Sequence, residues 1–420
     1  MNESPFNLQQ ILDGECLVAH FQPIVSVRKK TIVGYEGLTR GIHPLTHKLI
    51  SPKALFHQAV PMGVVLELDR LCRKTVLENF KEIQKKEPDA ILSLNFEASI
   101  IDQGVVGSGS LIQQVQSLGI SPQSVAIEII ESNVEDIEAL QKFIHTYRQY
   151  GFLIALDDVG AGHSNLNRIP LLKPDILKID QYLVHGIVKD FYKQEIFKSL
   201  VNLAHKIGAL IVSEGIETEE EALFVTELGV DMMQGFYFYK PQPKEEIKNH
   251  VVSFQVRDFQ THLKEALFEK LKIKDDNFKK HERMTRKIQS ELTKSTVYNF
   301  DARLLELIHH FPSVECLYVL DKDGVQVSDT VFSNAGIRNK NRLMFRPAEK
   351  NTDHSMKDFY YMLFNAGHRR STFVTEPYIS LATGNSCVTF CRVFKDGEGQ
   401  TRVLCVDINN DYLRLSSFTN

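Results

Sequence analysis

The chain has 420 residues, of which 43% are hydrophobic and 24% charged, so it is long enough for roughly two or three domains of ordinary soluble composition. A net charge of −4 excludes a general basic surface, and we expect no polymeric nucleic acid as a partner. The first residues lack a basic and apolar leader, and no apolar run approaches roughly 18 residues. We therefore expect a cytoplasmic protein without a signal peptide or a membrane span.

Residues 17–243 alternate between short Val/Ile/Leu runs and segments with helical spacing. This alternation predicts repeated βα units and a parallel sheet. The first two strands are joined by a tight basic turn at residues 28–30, so the first strand is expected to run antiparallel to the second. The predicted helices cover residues 69–80, 135–150, 195–207 and 219–228.

Residues 244–296 have a different character, because charge density rises and apolar residues recur every four positions. Phe259, Leu263, Leu267 and Leu271 form this repeat, which predicts a long amphipathic helix or a helix pair. Two interpretations are open. The helix packs on its own barrel, or it is a rigid connector or a dimer seam.

A second fold is predicted from residue 300 onward. A helix over residues 301–310 precedes a strand at 314–320, and a DKDG turn followed by VQVS indicates a β-hairpin. Further strands are predicted within 371–380, 386–394 and 401–408, which together favour an α+β domain with an antiparallel sheet. The expected domains are a barrel at 1–248, a helical linker at 249–299 and a C-terminal domain at 300–420.

Polar side chains follow one predicted strand after another in the first 250 residues or so. A barrel of parallel strands would bring all these strand ends to one rim, where βα-barrel enzymes keep their chemistry. A single strand-end carboxylate is more often a cap of the following helix, but repetition over successive strands favours a site. The residues are Glu36, Asn95, Glu128, Asp157, Asp158, Lys178, Glu214 and Gln234.

The candidate metal ligands are oxygen donors without any histidine or cysteine. Such a set suits Mg²⁺ or Mn²⁺ rather than Zn²⁺, and converging carboxylates would repel one another unless cations lay between them. Adjacent Asp157 and Asp158 could serve two ions, as in sites that promote in-line displacement at phosphorus. The predicted ligands are Glu36, Asn95, Glu128, Asp157 and Asp158.

Three further residues suit the same chemistry. Lys178 could orient an attacking water or neutralise a phosphoryl oxygen. Glu214 suits a general base or a ligand of a second metal, and Arg40 is placed to bind phosphate.

The ordered motifs FQP, EGLTR, LSLN, IEIIE, DDVGAG, LKID, SEGIE and QGFYF resemble the EAL family of cyclic di-GMP phosphodiesterases over about residues 15 to 245. The resemblance implies a (βα)8 TIM-like barrel with a reversed first strand. It also implies metal-dependent hydrolysis of cyclic di-GMP to linear pGpG with two Mg²⁺ or Mn²⁺ ions, in a homodimer.

The resemblance also implies a role for each matching residue. Glu36, Asn95, Glu128 and Asp157 would hold one metal, and Asp157 and Asp158 the second, with Glu214 close by. Lys178 and Glu214 would activate water, and Glu131 would anchor the loop at residues 158–164, which couples metal binding to dimerisation in this family. The implied residues that contact substrate or order its pocket are Gln22, Leu38, Arg40 and Gln234. Asp180 and Glu217 match family positions with less defined roles.

A few residues depart from the family pattern. Gly37 stands in the usual alanine place of the Glu-Gly-Leu triplet, where it is expected to add backbone freedom. Ile130 replaces a threonine beside the metal site, and Val159 and His163 replace aromatic residues. These departures motivate an alternative, a weakly active or non-catalytic receptor for cyclic di-GMP. A generic barrel hydrolase of another phosphate ester is a third possibility.

Residues 300–420 resemble the PAS/Cache-like sensor domain that follows the EAL domain in a Bacillus member of the family, through YVLDKDGVQVSDTVF, EPYISLATGNSCVTF and VLCVDI. The resemblance implies a module that binds an unknown small ligand or supports dimerisation, and that signals through the preceding helices. The alternative is a structural appendage.

Overall fold

The computed structural model describes residues 6–101, 109–130, 136–161, 166, 168–247, 249–333, 346–364 and 370–410. The described chain divides into two compact units, the first ending at Ala266 and the second beginning at Leu267. This division falls within the predicted linker, so the three expected domain boundaries stay a prediction. No helix in the described ranges is long and apolar enough to cross a membrane.

The first unit is built on a sheet that closes on itself. Within the described residues, eight of its ten strands form a barrel in the order β1-β2-β4-β5-β6-β7-β8-β9, and β9 returns to pair with β1. The strands are β1 (Leu17–Ser26), β2 (Thr31–Ile42), β3 (Leu49–Ile50), β4 (Ile91–Phe96), β5 (Val125–Ile130), β6 (Leu153–Val159), β7 (Ile176–Ile179), β8 (Leu210–Ser213), β9 (Met232–Met233) and β10 (Gln242–Pro243).

The first strand of the barrel is reversed. β1 pairs antiparallel with both β2 and β9, whereas each pairing from β2 through β4 to β9 is parallel. The predicted (βα)8 barrel with a reversed first strand is therefore confirmed. Because the parallel strands share one direction, their C-terminal ends lie on one rim.

One helix precedes the first strand of the barrel and the others follow its strands. They are α1 (Leu8–Asp13), α2 (Pro52–Met62), α3 (Val65–Gln84), α4 (Ser110–Ser117), α5 (Ile137–Gln149), α6 (Arg168–Leu172), α7 (Gln181–Val184), α8 (Phe191–Ile207) and α9 (Glu219–Glu227). The four predicted helices correspond to α3, α5, α8 and α9, with ends that differ by a few residues. The long predicted helical segment is a single helix, α10 (Asn249–Leu292).

Local sequence explains where several helices begin and end. The Ser51 hydroxyl accepts the backbone N–H of Ala54 and caps α2, which starts at a proline. α8 ends at Ile207 and is capped by Gly208, whose φ of 80° suits a glycine C-cap. α9 begins with a reciprocal capping box between Thr218 and Glu221.

The second unit is an antiparallel sheet with helices. Its strands are β11 (Val314–Asp321), β12 (Val331–Phe332), β13 (Thr372–Val374), β14 (Tyr378–Ile379), β15 (Ser386–Lys395) and β16 (Thr401–Asn409), and its helices after α10 are α11 (Phe300–Ile308) and α12 (Asp358–Phe364). The order is β12-β11-β16-β15-β13, with β14 beside β15. The predicted α+β fold with an antiparallel sheet is confirmed.

Each face of this sheet has an apolar core. Ile288 and Leu292 near the end of α10, together with Phe300 and Leu304 of α11, are buried in one cluster with alternate residues of the long strands. A second cluster joins Tyr318, Cys391, Cys405 and residues of α12. Successive residues of β15 and β16 point to opposite faces of the sheet, and both faces are covered by an apolar core. Both sets of side chains are therefore apolar, so the sequences of these strands are nearly continuous apolar runs.

The predicted hairpin after β11 is only partly formed. The Asp321 carboxylate accepts the N–H groups of Asp323 and Val325, so the turn is present. The predicted second strand at residues 325–328 is reduced to isolated bridges such as Leu320 to Gln326. Two backbone hydrogen bonds still join it to β11, from the Val327 N–H to the Val319 carbonyl and from the Asp321 N–H to the Val325 carbonyl, both at 2.8 Å. The Ser328 hydroxyl accepts the Val319 N–H at 2.8 Å, so a side chain takes a place that a backbone carbonyl would fill in a ladder.

Candidate active site

The strand-end residues converge because neighbouring strands place them in register. Asn95 on β4 pairs with Glu128 on β5, and Ile130 at the end of β5 pairs with Asp157 on β6. The Asn95 amide donates to Glu36 Oε1 at 3.1 Å, which joins the tip of β4 to β2. The predicted meeting of these side chains at one rim is what the structure shows.

Lys178 lies at the centre of the carboxylates. Its Nζ is 2.6 Å from Glu214 Oε1 and 2.7 Å from Glu128 Oε1. It is 3.2 Å from Asp157 Oδ1 and 3.8 Å from Glu36 Oε2. The Lys178 side chain is only 1% exposed, so these charges interact with little screening by water.

Burial and mutual repulsion shift the pKa values in this cluster. Burial alone would lower the pKa of Lys178, but Asp157, Glu128, Glu214 and Glu36 together raise it well above its usual range. Burial raises the pKa values of Glu128 and Glu214, against the opposing effect of Lys178. The lysine is thus held as a cation, but its single positive charge does not balance the negative charges of the surrounding carboxylates.

Asp158 completes the cluster from an unusual backbone position. Its φ of 54° is left-handed, which is uncommon for a residue other than glycine and typical of functional sites. Burial, and then repulsion by Asp157, raises its pKa to about 6. Oxygen atoms of Asp157, Asp158 and Glu214 all lie within 4.8 Å of one another.

The residues fit a divalent metal on three counts. The donors are hard oxygen atoms, as Mg²⁺ and Mn²⁺ prefer. Glu128 Oε2 is buried and has no hydrogen-bond partner among the described residues. Four carboxylates, of Glu36, Glu128, Asp157 and Glu214, lie within 3.8 Å of the single ammonium group of Lys178, and Asp158 lies beside two of them, so further positive charge would be favourable.

Gln22 and Gln234, both predicted to contact or order the substrate pocket, hold Glu36 in place. Gln234 Nε2 donates to Glu36 Oε2 at 2.5 Å and to Gln22 Oε1 at 3.0 Å. Gln22 Nε2 donates in turn to the Tyr239 carbonyl at 3.0 Å. The chain of amides therefore orients one predicted metal ligand, a role that the sequence pattern did not reveal.

Two of the remaining predicted residues, Leu38 and Arg40, follow Glu36 on the same strand. They continue along β2, where they pair with His20 and Val18 of β1. The Arg40 guanidinium donates to the Thr39 carbonyl at 2.8 Å. Glu131 and loop residues 162–165 lie outside the described residues, as does the side chain of Ile130.

An open cavity of about 290 Å³ lies over the carboxylates. Among the predicted residues it is lined by Gln22, Glu36, Asp157, Asp158, Lys178, Glu214 and Gln234, together with Asp180 and Glu217. Gln181 and Phe236 also line it and were not singled out, although Gln181 directly follows the LKID motif and Phe236 lies within QGFYF. Their position in or next to those motifs is the sequence signal that could have identified them as cavity residues.

Two glycines bring the rim backbones together. A Cβ at Gly235 would lie 2.1 Å from the Ile216 carbonyl oxygen and 2.3 Å from its nitrogen. Gly215 has a φ of 64°, and a Cβ there would lie 2.3 Å from Gln181 Cβ. The segment that follows Glu214 thus packs directly on its neighbours.

A closed βα barrel with its polar cavity at the C-terminal rim defines the architectural class of the first unit. Within that class, the sequence matches the EAL domain over residues 7–241, which is more than half of the chain. The chain therefore belongs to the EAL family.

Relatives extend the comparison. The EAL-domain protein YkuI of Bacillus subtilis is 26% identical over 94% of this chain and 95% of its own length. The structure of YkuI with c-di-GMP and calcium superimposes with a TM-score of 0.79 at 25% identity, covering 96% of this chain and 99% of YkuI. This whole-length match confirms the expected resemblance to a Bacillus EAL protein. PdeB of Escherichia coli, a probable cyclic di-GMP phosphodiesterase, is 30% identical over 58% of this chain but only 46% of its own length.

Proposed function

We propose that this protein is a cyclic di-GMP phosphodiesterase that hydrolyses one phosphodiester bond to give linear pGpG. The observation that carries the proposal is the contact of buried Lys178 with four carboxylates at the rim of an EAL barrel. The similarity to YkuI, a protein solved with c-di-GMP and calcium, and to PdeB supports the choice of substrate.

Glu36, Asn95, Glu128, Asp157 and Asp158 would hold one or two Mg²⁺ or Mn²⁺ ions. When bound, the ions would supply Lewis-acid chemistry at phosphorus and offset the carboxylate charges. The donor set and the unpartnered Glu128 Oε2 support this assignment.

The protein's own groups handle the proton. Glu214 Oε1 lies 2.6 Å from Lys178 Nζ, so the ammonium group fixes the carboxylate that would take a proton from the attacking water. The new bond joins the water oxygen to phosphorus. Formation of pGpG breaks the bond from phosphorus to the 3′ oxygen, which leaves with a proton. Lys178 also offsets negative charge that develops on the phosphoryl oxygens.

The test is analysis of nucleotide products with and without divalent metal. We expect cyclic di-GMP to be converted to pGpG in Mg²⁺ or Mn²⁺ and to persist in a chelator. Glu36→Ala and Glu214→Gln should each slow the reaction by about 100-fold or more. Undiminished hydrolysis in either variant contradicts the mechanism.

The same assay separates the other candidates. Tight binding of cyclic di-GMP without product after long incubation in Mn²⁺ would identify a non-catalytic receptor. Absence of binding would point to another phosphate ester. Substrate contacts by Leu38 and Arg40, anchoring of the loop by Glu131, a homodimer, a small ligand of the C-terminal domain with a regulatory role, and a cytoplasmic location stay predictions.

A further inference from the structure

The backbone after Glu214 is held by hydrogen bonds on both sides. The Glu214 N–H donates to the Ile179 carbonyl at 3.0 Å, and the Ile216 N–H donates to the Gln234 carbonyl at 3.1 Å. The Ile216 carbonyl accepts the N–H of Tyr237 at 2.9 Å. One carbonyl of this turn, that of Gly215, accepts from a side chain instead.

That side chain is His185, whose Nε2 lies 3.0 Å from the Gly215 carbonyl oxygen. Because a carbonyl can only accept, Nε2 carries the proton in this contact. His185 directly follows α7, so the bond links the rim loop after β7 to the rim loop after β8. These loops follow the strands that carry Lys178 and lead to Glu214.

His185 is itself fixed by backbone contacts. Its N–H donates to the Gln181 carbonyl at 2.8 Å, and its carbonyl accepts from Lys193 Nζ of α8 at 2.8 Å. These two bonds fix the backbone of His185, and so the position from which its imidazole reaches Gly215. Packing of Gly215 against Gln181 leaves little room for the peptide to move away from it.

Glu221 joins the same two loops one residue further on. Its Oε1 accepts the N–H of Gly186 at 3.2 Å, and its Oε2 accepts the N–H groups of Glu217 and Thr218 at 3.1 and 3.2 Å. Glu221 is only 7% exposed, so these bonds are largely shielded from water. The loops are thus tied at two adjacent points.

We propose that His185 is a positioning residue that holds Glu214 in its catalytic geometry by clamping the two rim loops together, beside the tie that Glu221 makes. This inference rests on the proposed function. A displacement of about 1 Å in a catalytic group can lower a rate by about 100-fold, so the loss of one anchoring bond would be felt in turnover. Substrate binding depends on other rim residues and would change less.

The experiment uses the full-length protein and three histidine variants. His185→Leu removes the donor, whereas His185→Gln retains an N–H donor at the position of Nε2. His205→Leu is the matched control, because His205 Nε2 bonds Asp231 at 3.1 Å with 40% side-chain exposure, against 41% for His185. His205 lies in the last turn of α8, before β8 begins, at the opposite end of that strand from Glu214.

Two measurements are made on each variant, namely kcat and KM with cyclic di-GMP, and amide hydrogen exchange of the peptide covering residues 213–218. His185→Leu should lower kcat by about 10- to 100-fold with KM within about 3-fold, and should speed exchange in that peptide. His185→Gln should restore both to within about 3-fold of the wild type. His205→Leu should change neither.

Equal behaviour of His185→Leu and His205→Leu in turnover and exchange would overturn the proposal, as would failure of His185→Gln to restore them. If the wild type shows no hydrolysis, the proposed function fails. The exchange comparison then still decides whether His185 clamps the loop.

Discussion

Gly37, in the middle of the motif that names the family, has a packing reason rather than the expected backbone freedom. It lies in regular strand pairing with Phe21 and Leu94. A Cβ there would lie 2.3 Å from Val76 Cγ1, a side chain of α3 that is 1% exposed. The volume of the usual alanine methyl group is therefore taken by Val76, which the sequence alone could not show because the two residues are 39 positions apart.

Restoring the alanine should destabilise the protein. We expect Gly37→Ala to lower the free energy of unfolding by about 1–3 kcal/mol, since overpacking forces the buried valine to move. Urea unfolding measures the change. Adding Val76→Ala should recover stability relative to Gly37→Ala, and a single variant as stable as the wild type would show that the space is available.

Lys178 gives a second prediction about single residues. Lys178→Met should abolish hydrolysis and lower the stability of the metal-free protein by about 3–5 kcal/mol, because removing one partner leaves buried carboxylates uncompensated. Lys74→Met is the control, since Lys74 makes a 2.8 Å ion pair with Glu15 at the exposed surface. Chemical denaturation in a chelator compares them, and equal losses would mean that the Lys178 ion pairs contribute little.

For individual side chains, the sequence predicted which residues lie together but not which hydrogen bonds they make. Strand-end position was enough to place Glu36, Glu128 and Asp157 together, since parallel strands share a rim. The amide chain from Gln22 to Gln234 and the His185 bond depend on side-chain rotamers and loop geometry. Neither leaves a periodic pattern in the sequence.

Among the elements, those with long apolar or amphipathic patterns were predicted well. The strands and helices of the barrel were found because burial on one or both faces imposes a period on the sequence. The prediction was only partly met at residues 325–328, where a turn and two backbone hydrogen bonds form but the Ser328 hydroxyl, not a carbonyl, accepts the Val319 N–H. Side-chain to backbone bonds of this kind compete with ladders without changing hydrophobic periodicity.

The loop before α12 carries a buried histidine that should make the second unit sensitive to acid. His354 is 4% exposed, stacks on Tyr318 and contacts Gln326 Oε1 through Nε2 at 3.0 Å. Burial, followed by the charge of Lys357, lowers the pKa of His354 to about 4. In the unfolded chain the same group titrates near 6.5.

Between pH 6.5 and 4 the unfolded chain therefore binds a proton that the folded unit does not. Stability is retained above about pH 6.5 and falls as the pH drops, by about 1–2 kcal/mol after allowance for partial solvation. Urea unfolding of the second unit at pH 7 and pH 5 should show this loss, and His354→Gln should reduce it. The exposed His309→Gln variant is the control, and an equal pH dependence in both variants would contradict the assignment.

For the molecule as a whole, the division into two compact units predicts separable responses to metal. Mn²⁺ binding at the proposed site on the barrel rim would stabilise only the unit that contains the site, by mass action. Scanning calorimetry should show one transition that moves upward with Mn²⁺ concentration and another that does not. In the Glu36→Ala variant the first transition should lose most of its shift. A single transition that moves as a whole would show that the units unfold together.

Gly235 has an evolutionary consequence. Any side chain at this position would overlap the backbone of Ile216, and no rotamer can relieve an overlap that begins at Cβ. Compensation would require moving the turn that carries Glu214, so a second mutation elsewhere cannot easily restore the fit. If all single substitutions at position 235 are selected for cyclic di-GMP turnover, only glycine should be accepted. Gly109 is the comparison. A Cβ there would meet its nearest atom at 3.9 Å, so substitution is limited only by its φ of 68°. Gly235 should thus be as restricted in evolution as a catalytic residue, although it has no side chain that could take part in the reaction.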